Sequence, residues 1–249
     1  MDPVYLGLAG FLAGVVNALA GGGPIMTLAA MTALGIDPRI ANLTSTLALS
    51  PGQLLGGWMS RHRLAGLRGV GHSIGLTVAI CAAGGLIGAL LLLWTDPAGF
   101  RAVVPWLILF ATAVYAWSGR GRSAQLAPRR LPGIAFVLVL GCLGIYGGYF
   151  GGGNSFLVLA LLAATGLSDR DGAAVKNVLV AVINLGAVVV FAFSGLVDWG
   201  HAVALGLGGL LGSWLGVRLL DRIDPRWVRI VVILCGLGLS GWFFATQAS

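Results

Sequence analysis

Apolar residues run along this chain in long stretches that are separated by short polar or glycine-rich interruptions. A straight transmembrane helix needs about 20 predominantly apolar residues. Most of the stretches approach that length, so the pattern predicts an all-α polytopic membrane protein. The predicted helical stretches are 4–20, 24–35, 41–60, 69–94 and 102–118 in the first half, and 133–150, 154–166, 173–193, 199–217 and 228–245 in the second.

Two of these stretches, 24–35 and 154–166, are too short to cross a bilayer alone, and each follows a glycine triplet. The triplets are Gly21-Gly22-Gly23, followed by Pro24, and Gly151-Gly152-Gly153, followed by Asn154. Three consecutive glycines have little helix propensity and leave backbone polar groups bare. At membrane depth such a break needs protein or a water-filled cavity around it, and a matched pair points to a transporter's binding site. The alternative is that the glycines only allow close helix packing.

The two halves of the sequence repeat one another. Each triplet is followed by a polar cluster, and an Asp-Pro pair precedes the last stretch of each half. Gly84 and Gly88 correspond to Gly212 and Gly216, a spacing of small residues that suits tight helix contacts. The clusters are Asn42-Leu43-Thr44-Ser45-Thr46 and Lys176-Asn177, and the pairs are Asp96-Pro97 and Asp224-Pro225. We therefore expect an N-terminal membrane repeat at 1–118, a basic cytoplasmic linker at 119–132 and a C-terminal membrane repeat at 133–249.

The basic residues favour a chain that turns back at each triplet. In that topology only Arg39 and Arg101 of the fifteen lysines and arginines lie on one side of the membrane. If each half instead crossed four times, the split would be seven to eight, which the positive-inside rule disfavours. Two inverted repeats follow, each with a re-entrant, glycine-broken hairpin and three transmembrane helices. Continuous broken helices remain the alternative, since the first leg could span a thin membrane.

Composition excludes several classes of protein. The chain is 58% hydrophobic and 9% charged, whereas soluble domains carry about 25% charged residues. The net charge of +7 lies in short loops, where membrane topology explains it, so no nucleic-acid partner is expected. The three cysteines form no CxxC, and the apolar stretches contain no HExxH or paired aspartates. We expect no enzyme, no catalytic residue, no metal and no cofactor.

The broken helices predict an anion site. A helix N-terminus carries roughly half a positive charge and donates N–H groups to anions. Pro24 suits a first helical turn, and Asn154 and Ser155 are good N-caps. The predicted substrate-binding residues are Gly21, Gly22, Gly23, Pro24, Thr44, Ser45, Thr46 and Gln53 in the first half, and Gly151, Gly152, Gly153, Asn154, Ser155, Lys176, Asn177 and Asn184 in the second.

Lys176 is the only lysine of the chain, and two interpretations of it are open. It is either an interfacial residue that extends its ammonium group to the membrane surface, or an anion ligand inside the site. Asn177 and Asn184 share one helix face, as do Thr46 and Gln53, because residues seven apart lie two turns apart.

These motifs give the sequence a resemblance to a known family over nearly its whole length. They are the segment Gly14–Gly23, Ala41-Asn42-Leu43-Thr44 with Pro51-Gly52, Tyr146-Gly147-Gly148-Tyr149-Phe150-Gly151 with Asn154, Leu179 after Lys176-Asn177, and Gly195-Leu196-Val197-Asp198-Trp199. The chain resembles the TauE/SafE family of sulfite exporter-like membrane permeases. It departs from the family's common pattern at Pro24, where relatives often carry a small residue, and at Ser45, where they often carry Asn.

The resemblance implies transport of sulfur-containing anions, such as sulfite, sulfoacetate or related organosulfonates, across the bacterial inner membrane. We therefore expect a multi-pass secondary transporter that works by alternating access, with the anion at the midplane and H⁺ or Na⁺ as coupling ion. A passive anion channel and a carrier for a small non-sulfur carboxylate or oxyanion are the alternatives. The sequence leaves the oligomeric state open.

Overall fold

The computed structural model describes residues 3–19, 21–69, 73–118, 133–167, 169–219 and 225–247, which are helical apart from short turns. The helices are α1 (Pro3–Leu19), α2 (Gly23–Ala33), α3 (Pro38–Ser60), α4 (Ala65–Gly69), α5 (Ile74–Trp94), α6 (Pro97–Ser118), α7 (Gly133–Tyr149), α8 (Asn154–Ala164), α9 (Asp169–Ala192), α10 (Trp199–Leu219) and α11 (Pro225–Gln247). The predicted all-α class is confirmed for this part of the chain. The predicted linker, 119–132, and Asp224 lie outside the described residues.

The predicted stretch 69–94 begins too early. A 3₁₀ helix, Arg61–Leu64, and the short helix α4 precede α5, which begins at Ile74 with Ser73 as its N-cap. The basic residues of this segment interrupt the apolar run, and Leu67 of α4 is fully buried. The segment is therefore a short connection between two long helices.

Several helices have the length and composition of membrane spans. Ile74–Trp94, Pro97–Ala116 and Asp171–Ala192 are long and apolar enough to cross a bilayer, by these two criteria alone. The helices that flank the glycine triplets are apolar but shorter, with 17 residues in α1 and α7 and 11 in α2 and α8. The short pieces predicted after the triplets are thus confirmed as separate helices.

Glycines bring α1 and α10 into backbone contact. A Cβ atom added at Gly10 would lie 2.2 Å from the carbonyl oxygen of Leu205, and one added at Gly216 would lie 2.8 Å from that of Val15. Residue numbers rise together along the two helices, so they run parallel. Backbones approach this closely only where a residue has no side chain.

The helices α5 and α7 make the same kind of contact. A Cβ atom at Gly84 would lie 2.8 Å from the Cα of Gly144, and one at Gly88 would lie 2.1 Å from the carbonyl oxygen of Ile145. The predicted role of the spaced glycines in tight helix packing is confirmed in both halves.

The helices α3 and α9 cross the centre of the molecule in opposite directions. Gln53 contacts Asn184 through a hydrogen bond, and a Cβ atom at Gly57 would lie 2.8 Å from the Cβ of Ala181. The residue numbers of the contacting pairs rise along α3 and fall along α9, so the two helices are antiparallel.

The helices α6 and α11 are also antiparallel. The Ser240 hydroxyl donates to the carbonyl oxygen of Pro105 at 3.4 Å, and a Cβ atom at Gly236 would lie 2.2 Å from Oγ1 of Thr112. Corresponding helices of the two halves therefore point in opposite directions at both contacts.

The chain reverses direction at the first triplet. A Cβ atom at Gly23 would lie 2.6 Å from the carbonyl oxygen of Ala13. In a straight α-helix two residues ten positions apart are separated by about 15 Å along the axis. The start of α2 therefore folds back against α1, and the chain does not continue along the axis of α1.

We predict that Gly212→Ala destabilises the protein, because its Cβ would lie 2.0 Å from the carbonyl oxygen of Phe11 and overpacking costs about 1–3 kcal/mol. Gly241→Ala is the matched control, since nothing lies within 4 Å of its Cβ position in α11. Thermal unfolding in detergent should show a lower melting temperature for Gly212→Ala and an equal or higher one for Gly241→Ala. Equal melting temperatures for the two variants would contradict the backbone contact.

Candidate functional site

The two helix breaks overlap in the structure. A Cβ atom at Gly21 would lie 2.1 Å from the Cβ of Ser155, and one at Gly152 would lie 3.1 Å from Cγ1 of Ile25. Each break therefore lies against the first turn that follows the other break. The first turns of α2 and α8 pass side by side in opposite directions.

Side chains satisfy carbonyl groups that the second break exposes. The Asn42 amide donates to the carbonyl oxygen of Tyr149 at 3.0 Å, and the Tyr146 hydroxyl donates to that of Gly152 at 2.9 Å. The first bond joins α3 to the end of α7, so it also fixes the break against the N-terminal half. This arrangement meets the requirement that irregular backbone in a membrane be enclosed by protein.

The predicted caps are correct for one helix and wrong for the other. Pro24 lies in the first turn of α2, as expected. The N-cap of α8 is Gly153, not Asn154 or Ser155, which are the first two residues of the helix. Gly153 has φ +78°, in the left-handed region, and its Cβ would lie 2.3 Å from the Cβ of Ala111. Only glycine fits this tight turn, so the N-cap position is occupied by Gly153 and not by Asn154 or Ser155, which are better capping residues.

A cavity of about 40 Å³ lies beside the overlapping breaks. Since about 10–15 Å³ of such space holds one water, it has room for a few waters or a small polyatomic group. Three predicted site residues, Gln53, Ser155 and Asn177, line it. The complete lining is Asn17, Ala18, Gly52, Gln53, Gly56, Ser155, Asn177, Val180 and Ser213. No charged residue belongs to this lining.

A wider, open depression of about 420 Å³ borders Pro97, Ala98, Arg101 and Ala102 at the start of α6. All four residues are exposed. None of the predicted site residues lines the depression, so the smaller cavity is the candidate site.

Asn184 does not line the cavity itself but contacts Gln53, which does. Its side-chain amide donates to Oε1 of Gln53, and Asn184 is buried in the contact between α3 and α9. The polar faces predicted on these two helices therefore meet. The bond joins residues from the two halves of the chain.

The hydroxyl residues of α3 do not line the cavity. The Thr44 hydroxyl accepts a hydrogen bond from the backbone N–H of Asp198 at 3.2 Å, and the Ser45 hydroxyl lies 3.5 Å from the sulfur of Met31. The Thr46 hydroxyl donates to a carbonyl one turn back in its own helix. All three are buried, and Thr44 and Ser45 join α3 to neighbouring segments.

The triplet residues surround the site without lining the cavity. They are buried, and the close contacts of Gly21, Gly152 and Gly153 show that they permit dense packing. Gly21, Gly151 and Gly153 also have positive φ, so both the dense packing and the turn of the backbone at each break require glycine. The residues in this group are Gly21, Gly22, Gly23, Pro24, Gly151, Gly152 and Gly153.

Lys176 is buried in α9. The residue is only 6% exposed, and it is the one charged residue among the buried residues that the structure describes. This burial supports the interpretation of Lys176 as an anion ligand inside the site, which stays a prediction. It does not itself line the cavity, but it precedes Asn177 and lies one turn before Val180, which both do. Among the described residues, it has no hydrogen bond or ion pair.

Buried amide groups without partners cluster near the site. Within the described part of the chain, Oδ1 of Asn17, Oδ1 of Asn184 and both amide atoms of Asn154 have no hydrogen-bond partner. Leaving a buried polar group unpaired costs about 1–3 kcal/mol. Such groups in a native protein indicate a water, an ion or a ligand.

Two polar lining residues, Asn17 and Ser213, are not among the residues predicted from the sequence. Asn17 is the one strongly polar residue in the apolar run before the first triplet, and this isolation was its available signal. Ser213 lies among the spaced glycines of α10, and its hydroxyl lies 3.5 Å from the carbonyl oxygen of Gly14. A lone serine in such a glycine pattern is also expected from packing alone.

The sequence from residue 6 to 243 matches the family described as sulfite exporter TauE/SafE. The chain belongs to this family. It is 27% identical over 246 residues to the probable membrane transporter protein YfcA of Escherichia coli (strain K12), covering 96% of this chain and 90% of the relative. It is 28% identical over 244 residues to a probable membrane transporter protein of Haemophilus influenzae, covering 94% of each.

A third relative, the probable membrane transporter protein ORF9 of a Sinorhizobium species, is 28% identical over 239 residues, covering 95% of this chain and 90% of the relative. No solved structure matches the chain. Membership of the TauE/SafE family confirms the predicted resemblance and identifies the chain as a membrane transporter rather than an enzyme.

We predict that the Gln53–Asn184 bond appears as a coupling energy between the two residues. Gln53→Leu and Asn184→Leu should each destabilise the protein by about 1–3 kcal/mol, because each leaves the other amide buried without its partner. The double variant should lose less than the sum of the two. Equilibrium unfolding of the four proteins measures the difference, and additive losses would contradict a direct bond.

Proposed function

We propose that this TauE/SafE protein is a secondary transporter of small sulfur-containing anions, such as sulfite, sulfoacetate or related organosulfonates, in the bacterial inner membrane. The observation that carries the proposal is the burial of Lys176 without a partner among the described residues, next to a polar cavity without carboxylates. The sulfur-containing class comes from the name of the family.

The electrostatics of the site favour an anion. An ammonium group loses most of its hydration when it is buried, and this penalty is large unless a negative charge or hydrogen bonds compensate it. No Asp is found among the buried residues described, and the sequence contains no Glu. A bound anion would supply the missing countercharge.

The cavity offers groups that suit an oxyanion. The amides of Asn177 and Gln53 and the hydroxyl of Ser155 carry N–H or O–H donors, and all three residues line the cavity. Ser155 is also in the first turn of α8, where the helix dipole favours negative charge. Lys176 would add a charge-assisted contact if its side chain turned toward the cavity.

The packing of the helices supports two inverted repeats. The contacts of α3 with α9 and of α6 with α11 are antiparallel, as expected for corresponding helices related by an axis in the membrane plane. In each half a short helix follows the glycine break. Inverted repeats with discontinuous helices are typical of transporters that alternate access around a central site.

Part of the cavity lining is only half-buried. The half-buried residues are Asn17, Gly56 and Asn177, near the end of α1, near the end of α3 and in the first half of α9. Alternating access requires that the site be reached from one side of the membrane at a time, and the half-buried part of the lining supports such a route.

We predict that Lys176→Met weakens sulfite or sulfoacetate binding at least tenfold without lowering the melting temperature. Methionine is also long and unbranched but uncharged, and removing a buried, unpaired charge should leave stability equal or higher. Isothermal titration calorimetry of the purified protein measures the affinity. Arg61→Gln is the control, because Arg61 is exposed and lies 3.8 Å over the Trp58 ring.

Unchanged affinity in Lys176→Met would remove this residue from the site. Acetate and chloride should bind more weakly than sulfite in the same titration. Stronger binding of acetate would replace the sulfur-containing class by small carboxylates.

We further predict saturable flux and counterflow in liposomes that contain the protein. Unlabelled sulfite trapped inside should accelerate uptake of labelled sulfite, because a carrier reorients with substrate bound. Flux that rises linearly with concentration and shows no counterflow would instead identify a passive anion channel.

A further inference from the structure

Each glycine break is the turn of a helical hairpin, formed by α1 and α2 in the first half and by α7 and α8 in the second. Each hairpin holds one asparagine between its helices. A Cβ atom at Gly23 of α2 would lie 2.6 Å from the Cβ of Asn17 of α1. A Cβ atom at Gly147 of α7 would lie 2.2 Å from Nδ2 of Asn154 of α8. The two asparagines thus come from opposite legs of their hairpins.

The amide of Asn154 lies at the position that corresponds to Asn17. Gly147 is the counterpart of Asn17 in the second half, because each lies four residues before the first glycine of its triplet. The Nδ2 and Cγ atoms of Asn154 lie 2.2 and 2.6 Å from the Cβ position of Gly147. The amide of Asn154 therefore occupies the place where a side chain at the counterpart position would begin.

The contacts of α1 with α10 and of α7 with α5 support this correspondence. A Cβ atom at Gly216 would lie 2.8 Å from the carbonyl oxygen of Val15. A Cβ atom at its counterpart Gly88 would lie 2.1 Å from the carbonyl oxygen of Ile145. Val15 and Ile145 each lie six residues before their triplet, so the two contacts are equivalent.

The space beside Asn17 is open, and the equivalent space in the second half is closed. Asn17 is half-buried and lines the cavity together with Ala18 and Ser213. By the same correspondence, the counterparts of Ala18 and Ser213 are Gly148 and Gly85. A Cβ atom at Gly148 would lie 2.1 Å from the carbonyl oxygen of Gly85. Backbone contact between two glycines therefore fills the place that the cavity has in the first half.

Asn154 is enclosed in this closed space without partners. It is 0% exposed, and neither its Oδ1 nor its Nδ2 atom has a hydrogen-bond partner among the described residues. Because both atoms are unpaired, this holds for either orientation of the amide. A buried amide without partners costs free energy, which water or a ligand would return. The closed arrangement is therefore penalised at Asn154.

We propose that Asn154 binds the anion when the transporter is open to the opposite side of the membrane, in a cavity that is the counterpart of the observed one. Inverted repeats direct two such cavities toward opposite faces. In that state the Nδ2 group of Asn154 donates to the oxyanion, and the space beside Asn17 closes. The inference rests on the proposed function, because only a carrier alternates between two openings.

Asn154→Leu tests this role, because leucine has the branched shape of asparagine but needs no hydrogen bonds. The closed space should become more stable, so the melting temperature should rise and calorimetric binding of sulfite should be equal or tighter. Sulfite uptake into liposomes should be about tenfold slower, because the opposite opening is less populated. A lower melting temperature with native flux would show a purely structural role and overturn the proposal.

Asn17→Leu is the matched control, because Asn17 lines the observed cavity. This variant should bind sulfite more weakly than the native chain, whereas Asn154→Leu should not. Equal weakening of sulfite binding in the two variants would place both asparagines in one opening and overturn the assignment of Asn154 to the other.

Cysteine accessibility keeps the test decisive if Asn154→Leu does not fold. Cys81, Cys142 and Cys235 are first replaced by alanine. During sulfite transport, a membrane-impermeant thiol reagent should then react with Asn17→Cys from one side of the membrane and with Asn154→Cys from the other. Reaction of both variants from the same side, or of Asn154→Cys from neither side, would overturn the proposal.

The outcomes separate the inference from the function on which it rests. Native flux in Asn154→Leu, with sulfite binding intact, would overturn the role of Asn154 and leave the anion transporter standing. Absence of both sulfite binding and sulfite flux in the native chain would overturn the proposed function itself.

Discussion

A broken helix inside a bilayer must find partners for its free backbone groups, since lipid supplies none. At the second break, the Asn42 amide and the Tyr146 hydroxyl donate to the carbonyl oxygens of Tyr149 and Gly152. Asn42 comes from the other half of the chain, so the same bond closes the break and joins the halves. The overlap of the two breaks, and the position of the cavity beside them, depend on this enclosure.

The overlap of the two helix breaks also explains why polar and charged groups lie in the interior of an apolar protein. Because Gly21 lies against Ser155, the first turns of α2 and α8 pass side by side, and α3 and α9 meet next to them through Gln53 and Asn184. A lysine and several amides then share one region. The buried lysine is costly in the empty protein, and a bound anion would reduce that cost.

The sequence predicted the helices well because apolar length and glycine placement are local signals. The short helices after the triplets and the tight contacts of Gly84 and Gly88 follow from such signals. The cavity could not be predicted, because it depends on contacts such as Gln53 with Asn184, which are 131 residues apart. The partner of Thr44 could not be predicted either, because its hydroxyl accepts a hydrogen bond from the backbone N–H of Asp198, which is 154 residues away in the sequence.

The central claim is that an anion binds beside the overlapping breaks, next to Lys176. Crystals of the protein soaked with selenite, a heavier analogue of sulfite, would locate the anion by the anomalous scattering of selenium. The account predicts one strong peak bounded by Gln53, Ser155 and Asn177, the three predicted residues that line the cavity. A peak confined to the molecular surface, with the cavity filled only by water, would contradict it.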